Sequence, residues 1–197
     1  LEITAEMVKR LRDKTGAGMM DCKKALSGSN GDEAKALEYL RQKGLASARS
    51  KEARETKEGI IGTYVHAGGK IAVMVEVNCE TDFVARTPAF REFARDLAMQ
   101  VTAANPLYVS REEVPQEAVD QERAIYAAQA RESGKPDKVI DKIASGKLEK
   151  FFGDVCLLEQ AYVKDQNMTV GDLLQEIRAK IGENIQVRRF IRYQLGE

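Results

Sequence analysis

The chain has no tryptophan, a single histidine (His66), four prolines and three cysteines among 197 residues. Each shortage excludes something. Cys22, Cys79 and Cys156 stand far apart and form no C-x-x-C pair. Neither a disulfide frame nor a zinc site is therefore expected, and sparse, odd cysteines read as reduced, buried thiols in a cytosol-like compartment. A catalytic pairing of His66 with Cys79 would need closeness and a third, orienting group, and nothing in the spacing supplies one. No enzymatic chemistry is expected. No run of about eighteen or more apolar residues occurs, so no helix is expected to span a membrane. An excess of either charge is also missing: 31 basic and 31 acidic residues cancel. Such a balance argues against general electrostatic binding to nucleic acid and suits a mixed-charge protein surface as partner. No secretory signal is expected ahead of the domain, and Leu1 in place of Met is the start expected after upstream trimming.

What is present is 43% apolar and 31% charged residues, enough for a core and a well-solvated surface. Residues 1–44 read as three short helices sharing one small core. Ile3, Met7, Val8 and Leu11 share a face behind a cap at Thr4. Thr15-Gly16-Ala17-Gly18 breaks the pattern, and Asp21 is expected to cap a second helix through Leu26. Asp32 starts a third, with Ala36, Leu37 and Leu40 inward, ending before Gly44. Residues 45–58 are Ala, Ser and charge without an apolar stripe. They read as a solvated helical linker, and residues 59–197 as the main domain.

The period then changes from 3.6 to 2. Ile60 to His66 and the strand carrying Ile71, Val73, Val75 and Val77 flank Ala67-Gly68-Gly69, which predicts a hairpin. Thr87-Pro88 opens a helix with Phe90, Phe93, Leu97 and Val101 on its buried stripe. Pro115 opens another, lasting to about Gly134, and Pro136 a shorter one ending near Gly146. A strand is expected around Val155 to Val163, then a helix with Val170, Leu173, Leu174, Ile177 and Ile181 on one face. Asn184 to Leu195 alternates as a long strand, Ile185, Val187, Ile191, Tyr193 and Leu195 on one side. The fold class is α+β: helical module, linker, then antiparallel strands packed with helices.

Three segments together resemble the elongation factor Ts family. The first is Val8-Lys9-Arg10-Leu11-Arg12 followed by Thr15-Gly16-Ala17-Gly18-Met19-Met20-Asp21-Cys22-Lys23-Lys24-Ala25-Leu26. The second is Glu76-Val77-Asn78-Cys79-Glu80-Thr81-Asp82-Phe83-Val84-Ala85-Arg86. The third is Lys180-Ile181-Gly182-Glu183-Asn184-Ile185, continued by Val187-Arg188-Arg189-Phe190. The length is similar to the short form of the family, without the extended second half and coiled-coil insertion of longer members. The resemblance implies an N-terminal module similar to ubiquitin-associated domains. It also implies a translation role: binding elongation factor Tu, GDP-bound and nucleotide-free, and promoting exchange of GDP for GTP without bond-making chemistry.

On that resemblance Thr81, Asp82, Phe83 and Val84 are the segment that disturbs the partner's magnesium site. Read from the residues alone, Phe83 either enters the core or serves as an anchor for a partner's pocket. Met19 and Met20, at a helix–helix turn, are either core filling or an adaptable docking surface. The family's N-terminal module contacts the partner, which adds Met19, Met20, Lys9 and Arg12 as candidates. The glycines at 16, 18, 68 and 69 match neither a P-loop nor a dinucleotide fingerprint, so no cofactor, metal or bound nucleotide is expected in this chain. Arg188, Arg189 and Arg192 could form a stripe for RNA, but Arg189 points opposite to the other two. In short members the closing strand contributes to homodimer contacts. Some close relatives carry a cysteine where this chain has Ile191, so any homodimer through that position is non-covalent. Two rivals remain: an adaptor whose helical module binds another protein, and an RNA-binding factor. The location is expected to be the cytoplasm, or a plastid stroma or mitochondrial matrix after removal of a targeting segment.

Overall fold

The computed structural model describes residues 3–197, so Leu1 and Glu2 of the expected 1–44 module lie outside the described residues. Among the described residues the helices are α1 (Ala5–Thr15), α2 (Met19–Gly28), α3 (Glu33–Arg49), α4 (Asp82–Ala85), α5 (Pro88–Ala104), α6 (Gln116–Glu132), α7 (Asp137–Val155) and α8 (Val170–Ile181). The strands are β1 (Glu58–Val65), β2 (Ile71–Cys79), β3 (Ala161–Tyr162), β4 (Asp165–Thr169) and β5 (Ile185–Gln194). The fold is α+β, as expected. No helix among the described residues is long and apolar enough to cross a membrane. The chain forms two compact units. One comprises Leu1–Gly59, Asn78–Phe90 and Leu174–Gln186; the other comprises Ile60–Val77, Arg91–Leu173 and Val187–Glu197.

In the first unit, Thr4 caps α1, its hydroxyl accepting from the Met7 N–H at 3.3 Å. Gly16 ends the helix with φ 68°, a left-handed position that glycine takes without a Cβ penalty. Asp32 caps α3 through the Lys35 N–H at 3.1 Å. The cap of α2 is Gly18, not Asp21. Asp21 sits in the first turn, where its charge favours the helix dipole, and pairs with Lys43 at 2.6 Å. Val8, Leu11, Cys22, Ala25, Leu26, Ala36 and Leu40 form the shared core, with Ile3, Met7 and Ala17 packed against it.

The third helix does not stop before Gly44; it runs to Arg49. The glycine has a packing reason instead. A Cβ at Gly44 would lie 3.2 Å from the Ala179 side chain on α8. The missing side chain lets two helices approach, which offsets the roughly 1 kcal/mol that glycine costs inside a helix. Residues 50–57, expected to be helical, are turns and irregular chain.

In the second unit the sheet order is β1-β2-β5. The His66 N–H donates to the Ile71 carbonyl at 2.9 Å, closing the hairpin. The Leu195 N–H donates to Lys70 at 2.8 Å, and Arg189 pairs with Glu76, so β5 runs antiparallel to β2. Val73, Val75 and Val77 of β2 are buried, as are Phe93, Leu97 and Val101 of α5. Helix α7 passes through Gly146 to Val155 rather than ending there. Ile140, Ala144 and Leu148 keep its four-residue stripe buried, and Gly146 faces open space, so the glycine weakens the helix without ending it. The strand expected around Val155 to Val163 shrinks to β3, paired antiparallel with β4. Cys156 and Leu157 are both buried in succession, which is incompatible with alternation and instead seats a 3-10 turn over Leu157–Glu159. Gln100, fully buried, satisfies this bend. Its amide donates to Gln160 Oε1 (3.2 Å) and the Ala161 carbonyl (3.1 Å), and its oxygen accepts from the Val163 N–H (2.8 Å).

Candidate functional site

Strand β2 ends at Cys79 and helix α5 begins at Pro88. Between them Glu80 and Thr81 turn the chain into the single-turn helix α4, which holds Asp82, Phe83 and Val84. Thr81 is its cap, with extended backbone (φ −128°, ψ 152°) and a hydroxyl accepting from the Val84 N–H at 3.4 Å. Asp82 lies one turn before Arg86 and pairs with it at 2.6 Å. Thr87 closes the turn, donating to the Val84 carbonyl at 2.8 Å and accepting from the Phe90 N–H at 3.3 Å.

Phe83 does not enter a core. It is 77% exposed, while Ala85 on the same short helix is buried. An aromatic ring left in water forgoes roughly 1.5–3 kcal/mol of burial, so this ring adds little to the chain's own core and stays free to meet a partner.

The turn is held from behind. Glu183 follows Gly182, the glycine that ends α8 with φ 86°. Its Oε2 accepts from the Glu80 and Thr81 N–H groups, both at 3.1 Å, and its Oε1 accepts from the Thr81 hydroxyl at 2.7 Å. Glu80 answers by accepting from the Asn184 N–H at 2.6 Å. The buried Asn184 amide donates to the carbonyls of Glu52 (3.0 Å) and Arg54 (2.7 Å), and Arg54 pairs with Glu80 at 3.4 Å. Below the turn the Cys79 thiol donates to the Thr81 carbonyl at 3.1 Å. Burial first, and the Glu183 charge second, push that thiol up to about 11. It is a protonated structural group.

The candidates Thr81, Asp82, Phe83 and Val84, and Lys9, Arg12, Met19 and Met20, all fall in the first unit. Met19 and Met20 occupy the first turn of α2, 44% and 65% exposed, so neither fills the module's core. Lys9 and Arg12 are exposed on α1. Sequence reasoning assigned no role to Glu183, Asn184, Glu80 or Arg54. The available signal was Gly182-Glu183-Asn184, two polar residues between a helix stop and an apolar strand.

The sheet of the second unit has an open side. Ile61, Val65, Met74, Ile191 and Tyr193 are exposed there, and Ile61, Met74 and Ile191 line one shallow depression of about 410 Å³ with Glu76, Arg189 and Phe190. Along the end of β5 the apolar side is thus the exposed one. The polar side is nearer cover: Arg192 is almost enclosed and bonds Gln194 and Glu197. Arg188, Arg189 and Arg192 therefore do not form one stripe, and Arg189 is tied to Glu76 at 2.8 Å.

An α+β chain that presents an uncovered aromatic on a braced turn, and an open apolar sheet face, has the features of a protein that docks onto others. Its sequence is matched over residues 44–197 by the family described as Elongation factor TS. It is 60% identical to elongation factor Ts of Carboxydothermus hydrogenoformans, over 99% of this chain and 90% of the relative. With the Fervidobacterium nodosum protein of the same name the identity is 58%, over the whole of both chains. With that of Geobacter metallireducens it is 57%, over all of this chain and 91% of the relative. The chain belongs to the elongation factor Ts family.

Proposed function

We propose that this chain is a guanine-nucleotide exchange factor of translation elongation, acting in the cytoplasm on elongation factor Tu. It binds the GDP-bound and nucleotide-free forms of the GTPase and promotes GDP release so that GTP can enter. The exposure of Phe83 on its braced turn carries the reading, supported by membership of the family. Phe83, flanked by Thr81, Asp82 and Val84, enters the partner near its magnesium and phosphate site. Shifting the groups that hold the ion weakens the nucleotide, because the ion neutralises the phosphate charge. Met19 and Met20, with Lys9 and Arg12, form a second contact from the helical module, where flexible thioethers adapt to a partner's surface.

No bond is made or broken by this chain. Linkage requires the nucleotide to weaken the factor's binding as much as the factor weakens the nucleotide's. A thousandfold effect needs roughly 4 kcal/mol of coupling, which a few interface residues supply. The open sheet face, flanked by the Glu76–Arg189 pair, supports a non-covalent homodimer.

The test follows release of fluorescent GDP from elongation factor Tu with catalytic amounts of the chain. Fast release that is largely lost in Phe83→Ala, with the fold intact, is the expected result. Fast release unaffected by Phe83→Ala would keep the exchange function and refute the site. No acceleration at all would bring forward an adaptor that binds without releasing nucleotide.

A further inference from the structure

The 79–82 turn and the 182–185 segment hold each other by a reciprocal exchange. Glu183 accepts from the backbone N–H groups of Glu80 and Thr81, and Glu80 accepts from the backbone N–H of Asn184. A carboxylate that also accepts the Thr81 hydroxyl at 2.7 Å makes three bonds to two consecutive residues. This fixes the plane of the turn as well as its position. Hydrogen bonds to a charged acceptor are the strong kind, and both backbone groups are only partly open to water. Asn184 anchors the assembly in turn, because its side chain spans the carbonyls of Glu52 and Arg54.

We infer that Glu183 is the positioning residue for Phe83: its carboxylate fixes the Glu80–Thr81 backbone from which α4 projects the exposed ring. The inference rests on the reading of Phe83 as the docking aromatic. A four-residue helix has a single turn and little stability of its own, so the direction of α4 depends on the bonds that hold its ends. A ring delivered in one orientation loses little freedom on entering a pocket, whereas one on a loose turn must be ordered during docking. Glu183 thus acts on exchange without touching the partner.

The experiment is a double-mutant cycle with the full chain and elongation factor Tu carrying fluorescent GDP. Glu183→Ala is expected to slow release by about tenfold or more, the worth of one to two charged hydrogen bonds. The double variant with Phe83→Ala should be no slower than Phe83→Ala alone, because Glu183 acts through that ring. Glu183→Gln keeps one acceptor oxygen and should fall between wild type and Glu183→Ala. It replaces the alanine variant in the cycle if the latter does not fold. In the isolated chain, amide hydrogen exchange at Glu80 and Thr81 should accelerate in Glu183→Gln while the α1–α3 core stays protected. Wild-type release in Glu183→Ala would overturn the inference. So would an equal slowing in the wild-type and Phe83→Ala backgrounds, or unchanged amide exchange. Failure of the wild-type chain to release GDP is a different result, since it removes the exchange reading itself.

Discussion

Gly62 of β1 passes so close to Ala94 of α5 that a Cβ placed on it would lie 2.7 Å from the Ala94 carbonyl oxygen. The obstacle is backbone, which cannot swing away as a side chain can. Gly62 is absent from the positive-φ glycines, so its requirement is space alone. Gly62→Ala is therefore expected to destabilise the chain by about 1–3 kcal/mol, the usual penalty of overpacking. For a chain this long that corresponds to a fall in Tm of roughly 2–4 °C per kcal/mol. Thermal melts followed by circular dichroism check it. An unchanged Tm would mean that helix and strand can separate at no cost.

Phe83 predicts the opposite separation of effects. Its ring is exposed, so Phe83→Ala should alter stability by no more than about 0.5 kcal/mol. Exchange should nevertheless fall by at least about tenfold, because aromatic anchors commonly carry 2 kcal/mol or more at an interface. Denaturant unfolding and nucleotide release on the same preparations give the two readings. A loss of stability equal to the loss of exchange would make the ring structural.

The elements that announced themselves in the sequence were those whose pattern is local. The β-branched alternation of residues 60–77 predicted the hairpin, and Phe93, Leu97 and Val101 predicted the buried face of α5. Glycine misled twice. Gly44 and Gly146 look like stops in the sequence, yet one is a helix–helix approach and the other lies at an exposed point of a continuing helix. No single-sequence signal separates those uses from a C-cap. The alternation of β5 revealed two faces but not which one would be left open. The brace behind the candidate site was the least legible part. Glu183 and Thr81 are 102 residues apart, and only the folded chain brings them together.

Cys79 and Cys156 give a pH prediction. Both are fully buried, and desolvation raises each thiol from 9.0 to about 11. At a pH between those values the folded chain keeps protons that the unfolded chain releases. Unfolding then sheds protons, so stability falls as pH rises from about 9 to about 11, and the thiols contribute no slope below that window. Cys79→Ala should lose less stability across it than wild type does, whatever its stability at pH 7. Parallel melts from pH 7 to 11 decide the matter. The same burial makes native-state alkylation of both thiols slow at pH 8, and unfolding in denaturant should release it.

The open face of the sheet yields the last prediction. Five apolar side chains, Ile61, Val65, Met74, Ile191 and Tyr193, are uncovered on it, Tyr193 at 64% exposure. A charge placed among them has little effect on the isolated chain, where water reaches it, but would have to be taken out of water in a closed interface. Ile191→Lys should therefore leave Tm at low concentration nearly unchanged and weaken self-association by at least about a hundredfold. Cys22, Cys79 and Cys156 are all buried and free, so reducing agent should make no difference to the association. Sedimentation equilibrium of wild type and variant, with and without reductant, measures both effects. A wild-type chain that stays monomeric at hundreds of micromolar would rule out the homodimer and leave this face to a different protein. Loss of GDP release in Ile191→Lys would then identify that protein as elongation factor Tu.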